Sequence, residues 1–240
     1  MILSPSKGGR IVLDRITVRA EDGRALLTDI SLSLTEQRVG VIGPNGAGKS
    51  TLIRLINGLT TPAEGSVQVD DLALPKEKRA VRRRVGFLFQ NADAQIVMPT
   101  PLEDVVFGLK PLKLGKDETD RKARDSLHRF GLKGFEDRPA YLLSGGEKQR
   151  LALAAIVAMD PAILVMDEPT TMLDLAGARL FRRLVAELPQ RVILATHDLT
   201  QLAGFDRVLV VDGGRIIRDA PPNEAIAFYE ALVTERERVQ

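Results

Sequence analysis

The stretch "VIGPNGAGKSTLIRLINGL", Val41 to Leu59, decides how the chain is read. It belongs to a short continuous apolar run, "VGVIG", of the kind that forms a strand buried on both faces of a parallel sheet. Beyond the loop, Leu52, Ile53, Leu55 and Ile56 follow helical spacing, and Asn57-Gly58 supplies the stop. The segment is therefore a buried strand, a glycine-rich loop and a helix N-terminus. Gly43 to Ser50 fits G-x-x-x-x-G-K-[S/T] and is followed by Thr51. Missing side chains at Gly43, Gly46 and Gly48 let backbone N–H groups wrap phosphate oxygens, and the helix N-terminus adds partial positive charge. The candidate cradle is thus Gly43, Pro44, Asn45, Gly46, Ala47, Gly48, Lys49, Ser50 and Thr51. Lys49 would reach the β- and γ-phosphates of a bound nucleotide, and the Ser50 hydroxyl would coordinate Mg²⁺. The competing reading is a plain strand-to-helix turn that contains glycines.

Outward from this loop, the N-terminal third reads as strands. "IVLDRITV" (11–18) and "SLSLTEQ" (31–37) alternate apolar with polar, which suits half-buried antiparallel strands, and "EDGR" (21–24) carries an Asp-Gly turn. From Asn91 to Ala158 the chain is helix-rich. "PLEDVVFGL" starts with Pro101 in a first helical turn, and "KDETDRKARDSLHRFGL" is acidic early, basic late and closed by Gly131. Parallel-strand signals return in "AILVMD" (162–167), "RVILATH" (191–197) and "RVLVVD" (207–212). This alternation points to a parallel-sheet α/β core interrupted by a helical insertion.

Composition bounds the rest. The 240 residues are 44% hydrophobic and 28% charged, enough for one sizeable globular core. Without cysteine there are neither disulfides nor thiolate metal sites, and without a cleavable apolar N-terminus the chain is expected in a reducing cytoplasm. No apolar run approaches the ~18 residues of a membrane-spanning helix. A formal charge of +2 and a pI near 9.0 are too mild to argue for nucleic acid. The run "KEKRAVRRR" (76–84) reads as a solvated loop and strand entrance that could also favour anionic lipid headgroups, and "ERERVQ" (235–240) as a fraying helix end.

Two further motifs carry chemistry. "ILVMDE" ends a buried strand in two carboxylates, which must be paired, metal-bound or catalytic unless the strand end is solvated. Asp167 would hold Mg²⁺ through water, and Glu168 would position and activate an attacking water. In "LLSGGEKQR" (142–150), a Ser and two glycines open the helix "EKQRLALAAIVAM", a second helix N-terminus fit for an anion or merely an N-capped surface helix.

In this order the motifs resemble the ATP-binding subunit of an ABC transporter. The resemblance spans nearly the whole chain: phosphate loop at 43–50, Q-loop glutamine Gln90, signature at 143–147, Asp-Glu strand end at 167–168, D-loop Asp174 and switch histidine His197. It implies one domain over 1–240. A RecA-like P-loop core with a small N-terminal antiparallel β-subdomain would occupy 1–90 and 159–240, and a helical signature subdomain 91–158. Two such subunits, identical or paralogous, would pack head-to-tail around two ATP. Ser144, Gly145, Gly146, Glu147 and Asp174 would then act in trans on the partner's nucleotide. Gln90 would contact Mg²⁺ and the attacking water and report to the membrane subunit, and His197 would hold the γ-phosphate and Glu168 in register.

The segment "FQNADAQIVMPTPLEDVVFG" (89–108) is similar to energy-coupling-factor ATPases, where a second glutamine, here Gln95, follows the first by five residues. That implies contact with the coupling helices of a transmembrane subunit, a separate substrate-capture protein, and a peripheral location on the cytoplasmic face of the cell membrane. Biotin, cobalt and nickel remain open as cargo, with a lean to biotin. The alternative, a non-transport ATPase of the superfamily acting on DNA or ribosomes, is disfavoured: Lys49 and Ser144 are only 95 positions apart, leaving no room for a long coiled coil, and there is a single cassette. A GTPase switch lacks its Asn-Lys-x-Asp sequence. Three departures stand out. The D-loop reads "TMLD" with bulky Met172 where a small residue is usual, and Glu147 replaces a common Gln. Most notably, Val18, Arg19 and Ala20 stand where an adenine-stacking aromatic is expected, the first aromatic being Phe87.

Overall fold

Why the central strands lie where they do follows from their composition: all five residues of 163–167 and of 191–195 are buried, so both segments need cover on both faces. The computed structural model describes residues 9–239. In chain order the elements are β1 (Ile11–Arg19), β2 (Ala25–Leu34), β3 (Arg38–Ile42), α1 (Lys49–Ile56), β4 (Glu64–Val69), β5 (Leu72–Leu74), α2 (Lys78–Arg84), β6 (Val85–Leu88) and α3 (Pro101–Leu109). Then follow α4 (Lys116–Arg129), α5 (Gly145–Ala158), β7 (Ile163–Asp167), α6 (Leu175–Ala186), β8 (Arg191–Ala195), β9 (Arg207–Asp212), β10 (Arg215–Ala220) and α7 (Pro222–Val239). The chain forms two compact units: one holds the residues up to Val85, Ala162–Asp167 and those from Gln190 onward, the other Gly86–Pro161 and Glu168–Pro189. The beginning of the expected core, residues 1–8, and Gln240 of the expected helix end lie outside the described residues.

The first unit contains two sheets. β7, β8, β3 and β9 run parallel in that spatial order, and β10 closes the β9 side antiparallel. α7 packs on this sheet through Ala225, with Ile226 and Tyr229 beside a cluster of Ile42, Leu202, Val208 and Val210. The second sheet, ordered β2-β1-β4-β5, is antiparallel. Its alternation is not uninterrupted: Ile11 and Leu13 are buried, Asp14 and Arg15 are both exposed, and Ile16 and Val18 are buried again. A register shift between Leu13 and Ile16, with Arg15 at φ +46°, absorbs the extra residue and returns the apolar side chains to the core face.

The basic run 76–84, expected to be a loop and strand entrance, instead forms the helix α2. Lys and Arg favour helices, Glu77 accepts the Ala73 N–H at 2.8 Å just before the first turn, and Val81 anchors it as its sole buried residue. With one apolar position there is no periodicity to read. Arg84 pairs with Asp70 at 2.8 Å.

In the second unit α3, α4 and α5 pack on one another, and Ser126 Oγ donates to the Ala154 carbonyl at 2.8 Å, joining α4 to α5. Thr100 caps α3 and Pro101 occupies its first position. The buried Asp104 accepts the Val97 and Met98 N–H groups on one carboxylate oxygen, at 2.9 and 3.1 Å. Burial pushes its carboxyl above the ordinary value and outweighs these two bonds. A carboxyl raised in the folded state makes stability fall as pH climbs from the unfolded value of 3.8 through the raised one. Asp104→Asn keeps the accepting oxygen and is expected to remove that slope at little cost near neutral pH. Asp104→Ala, which strands both N–H groups, should cost about 1–2 kcal/mol. Urea denaturation of the three proteins between pH 4 and 7 measures both effects.

Candidate nucleotide site

Three glycines make the loop after β3 possible. Gly43, Gly46 and Gly48 have φ of +147°, +78° and +106°, a region closed to most side chains. A Cβ on Gly43 would lie 1.9 Å from the Val211 carbonyl oxygen, so the loop is pressed against the end of β9. Ala47 O accepts the Gly214 N–H at 3.1 Å, which ties the loop to the turn after β9. No side chain caps α1, whose first turn carries no acid. Its N–H groups and dipole therefore face the loop without a competing anion from the helix itself. Lys49 is buried, and its ammonium donates to the carbonyls of Gly43 and Pro44 at 2.9 and 3.0 Å. These bonds hold the cation over the loop that a phosphate would enter.

Asp167 ends β7 only 2% exposed. Ser50 Oγ donates to its Oδ1 at 2.7 Å, and the Arg54 guanidinium meets Oδ2 at 3.1 Å. A hydroxyl and a carboxylate oxygen in contact beside a phosphate loop are hard donors of the kind Mg²⁺ takes together with nucleotide phosphates, a small protein contribution to an octahedral shell. Among the described residues no group of three His, Asp or Glu is gathered for a metal, and a cation shared with phosphates does not need one.

β8 lies between β3 and β7, and the parallel register brings Asp167 opposite Ala195. Two residues later comes His197, exposed in a bend. The buried Thr196 donates its N–H to Val41 O at 3.1 Å, and its hydroxyl accepts the Asp198 N–H and the Gln201 side-chain amide, each at 3.0 Å. The first unit thus gathers Gly43, Lys49, Ser50, Asp167 and His197 at the carboxyl ends of adjacent strands, where ligands bind in open parallel sheets.

The second unit carries the other expected residues. Glu168 follows Asp167 at φ +45°, a costly conformation for a residue with a side chain, and Thr171 Oγ1 donates to its carboxylate at 3.2 Å. The turn Thr170–Leu173 closes at 3.0 Å, and Asp174 caps α6 through the Gly177 N–H at 2.7 Å. Met172 is 69% exposed and Leu175 65%. Ser144 and Glu147 form a reciprocal capping box at the start of α5: Glu147 accepts the Ser144 N–H at 2.7 Å and Ser144 Oγ accepts the Glu147 N–H at 3.4 Å. Gly145 and Gly146 form the first turn above it. Gln90 is exposed just beyond β6. Gln95 turns inward, accepting the Phe89 N–H at 3.2 Å and donating to Phe87 O at 3.3 Å. Sequence reading missed the residues that tie this loop to α5: Gln149 donates to Phe89 O at 3.2 Å and Lys148 pairs with Asp93 at 2.7 Å. It also missed Arg54, whose only signal was its place four residues after Ser50.

The family model described as "ABC transporter" matches residues 27–171 of this chain, from β2 through the Asp-Glu strand end and into the turn that follows. The chain belongs to the ABC transporter family. The biotin transport ATP-binding protein BioM of Rhizobium etli is 46% identical over 209 residues, covering 87% of this chain and 93% of that protein. The energy-coupling factor transporter ATP-binding protein EcfA of Methanocaldococcus jannaschii is 38% identical over 222 residues, covering 89% and 80%. Among solved structures, cbiO1 of Clostridium perfringens, part of an ABC transporter complex, superimposes with a TM-score of 0.81 at 32% identity, over 95% of this chain and 94% of that one. The α/β architecture, with its antiparallel N-terminal sheet and helical insertion, agrees with that neighbour. The protein is an ATP-binding, ATP-hydrolysing cassette.

In this ABC ATPase the strand end at Ala20 has no aromatic ring to offer a purine. Ala20 sits in a closed turn, donating to Arg24 O and accepting from Gly23, both at 2.9 Å, and Arg19 reaches Gly23 O with one N–H at 3.4 Å. A ring stacked on a base contributes roughly 0.5–1.5 kcal/mol beyond its area, about threefold to tenfold in affinity. A guanidinium stacks flat as well and replaces part of this. GTP is expected to compete with ATP unusually well, and Ala20→Tyr to tighten ATP binding. Dissociation constants of both nucleotides for both proteins measure this, and a strong wild-type preference for ATP with no gain from the tyrosine refutes it.

Proposed function

We propose that this ABC ATPase powers an importer of the energy-coupling-factor type, pairing with a second ATPase subunit and driving a transmembrane partner for uptake of a micronutrient, with biotin the leading cargo. The observation that carries the ATPase half of this reading is the Ser50–Asp167 contact beside the Lys49 loop. The importer half is supported by the Gln95-braced loop 89–95 and by likeness to proteins named for biotin transport and for energy-coupling factor transport. No helix among the described residues is long and apolar enough to cross a membrane. In this reading the pore belongs to the transmembrane partner, and this chain sits at the membrane's cytoplasmic face.

In this reading the backbone of Gly43 to Thr51 wraps the triphosphate and Lys49 turns from its two carbonyls toward the β- and γ-phosphates. Ser50 and Asp167 hold Mg²⁺, which when bound neutralises charge on those phosphates. Glu168 accepts a proton from water as the water oxygen bonds to the γ-phosphorus and the bond to the β-phosphate oxygen breaks. His197 holds the γ-phosphate from the end of β8, and Gln90 orients the water. Ser144, Gly145, Gly146, Glu147 and Asp174 face the partner's nucleotide. Because Glu147 and Ser144 already satisfy one another, the signature's contribution rests on the N-terminus they shape and on the hydroxyl's remaining hydrogen-bonding capacity. Gln95 acts on the membrane subunit by fixing the shape of the loop, since both ends of its amide are engaged within that segment.

Glu168→Gln is expected to bind ATP normally and to lower turnover at least ~100-fold, the order lost with a positioned general base. Near-normal hydrolysis by that variant removes Glu168 from the role. Lys49→Ala should weaken ATP binding itself, and Ser144→Arg should bind ATP yet fail to dimerise. Mixing these two restores one composite site only if the signature acts in trans, which steady-state ATPase assays of the mixture report. Identifying the integral membrane proteins that purify with the tagged chain tests the importer assignment.

A further inference from the structure

Ser50 and Arg54 stand four residues apart on α1, on one face of the helix, and deliver one donor each to the two oxygens of the same buried carboxylate. Asp167 is almost fully excluded from water at the end of a wholly buried strand, where a charged carboxylate is costly without a counter-charge. A cation in the last turn of a helix often serves the helix dipole instead. Here the end of α1 has another basic donor, Arg82, whose Nε reaches Asn57 O at 3.4 Å. Arg54 is directed elsewhere: its guanidinium carries the ion pair to Asp167, while its buried Nε has no hydrogen-bond partner. An arginine held with an orphaned buried donor is placed by its contact to the carboxylate.

We propose that Arg54 is a positioning residue for the nucleotide's cation, clamping Oδ2 of Asp167 so that Oδ1 is presented at Ser50, and supplying the carboxylate's counter-charge whenever no cation is bound. This rests on the assignment of Asp167 to Mg²⁺. With Arg54 in place, the site keeps its geometry between turnovers, and an arriving Mg²⁺ shares the carboxylate's charge with a guanidinium already there. The consequence has a definite sign. Removing the guanidinium weakens the empty protein more than the loaded one, and makes the carboxylate a stronger attractor of Mg²⁺.

The test uses the full chain with ADP, which cannot be turned over, and follows melting temperature while Mg²⁺ is titrated. In Arg54→Met the melting temperature in EDTA should fall below wild type, the deficit should shrink at saturating Mg²⁺ and ADP, and the Mg²⁺ midpoint should drop roughly threefold, the scale of a half-exposed ion pair. Arg54→Lys, which keeps a cation, should restore both quantities toward wild type. A deficit equal in EDTA and in Mg²⁺-ADP, with an unchanged midpoint, overturns the proposal and leaves Arg54 a structural contact. Asp167→Asn separates the two readings: it should raise the Mg²⁺ midpoint by at least about tenfold. If it does so while Arg54→Met leaves the midpoint alone, only the Arg54 proposal fails. If Asp167→Asn leaves it alone, the metal assignment fails and takes the proposal with it.

Discussion

A carboxylate buried at the end of an apolar strand must be met by donors, and the way Asp167 is met organises the first unit. β7 has no polar side chain before it, so the compensation comes from α1, through Ser50 and Arg54. That fixes the rotation of α1 about its axis. The same rotation buries Leu52, Ile53, Leu55 and Ile56 and brings Lys49 back over the loop. Hydrophobic burial alone would tolerate small slips of such a helix; two charge-assisted contacts to one carboxylate do not.

The loop itself is fixed from the other side. Gly43 packs without a side chain against Val211 O, Ala47 accepts from Gly214, and Gly214 O in turn accepts the Thr28 N–H at 2.9 Å from β2. The turn after β9 is held at Asp212 by an ion pair with Arg236 of α7. The proposed phosphate cradle is thus held by backbone brought together from β2, β3 and the turn after β9. In the proposed function a cradle built from backbone would bind the feature common to all nucleoside triphosphates and leave the base to the β1–β2 turn.

Much of this was legible in the sequence where a residue type has one physical use. Glycines between a buried strand and a helix, a carboxylate pair ending an apolar run, and a Ser ahead of two glycines at a helix start each carry their own explanation, and the structure places the loop, the strand end and the N-cap there. What escaped lacked periodicity or depended on partners distant in sequence. α2 has a single buried residue, β4 and the edge strand β10 are largely exposed, and the edge strand β5 is only three half-buried residues long. The bulge at Arg15 shifts the phase of an alternation that reads as continuous on paper. Arg54 meets a carboxylate 113 positions away, and Gln149 a carbonyl 60 positions away. Neither contact has a local signature.

Asp167 and Glu168 are neighbours in the chain, yet different structure controls each. The first is held by α1 in one compact unit. The second opens the other unit, at a positive φ that turns the backbone sharply out of β7. Its carboxylate is engaged by Thr171, in the same short turn that carries Met172 and ends at the Asp174 cap. Positive φ on a glutamate costs energy, and here a hydroxyl, a closed turn and a capped helix follow it directly. Ser50 and Arg54 of α1 engage the first carboxylate, and Thr171 engages the second. The bulky Met172 sits in the turn that engages Glu168, so the departure from the usual small residue falls on the segment that carries the proposed proton acceptor.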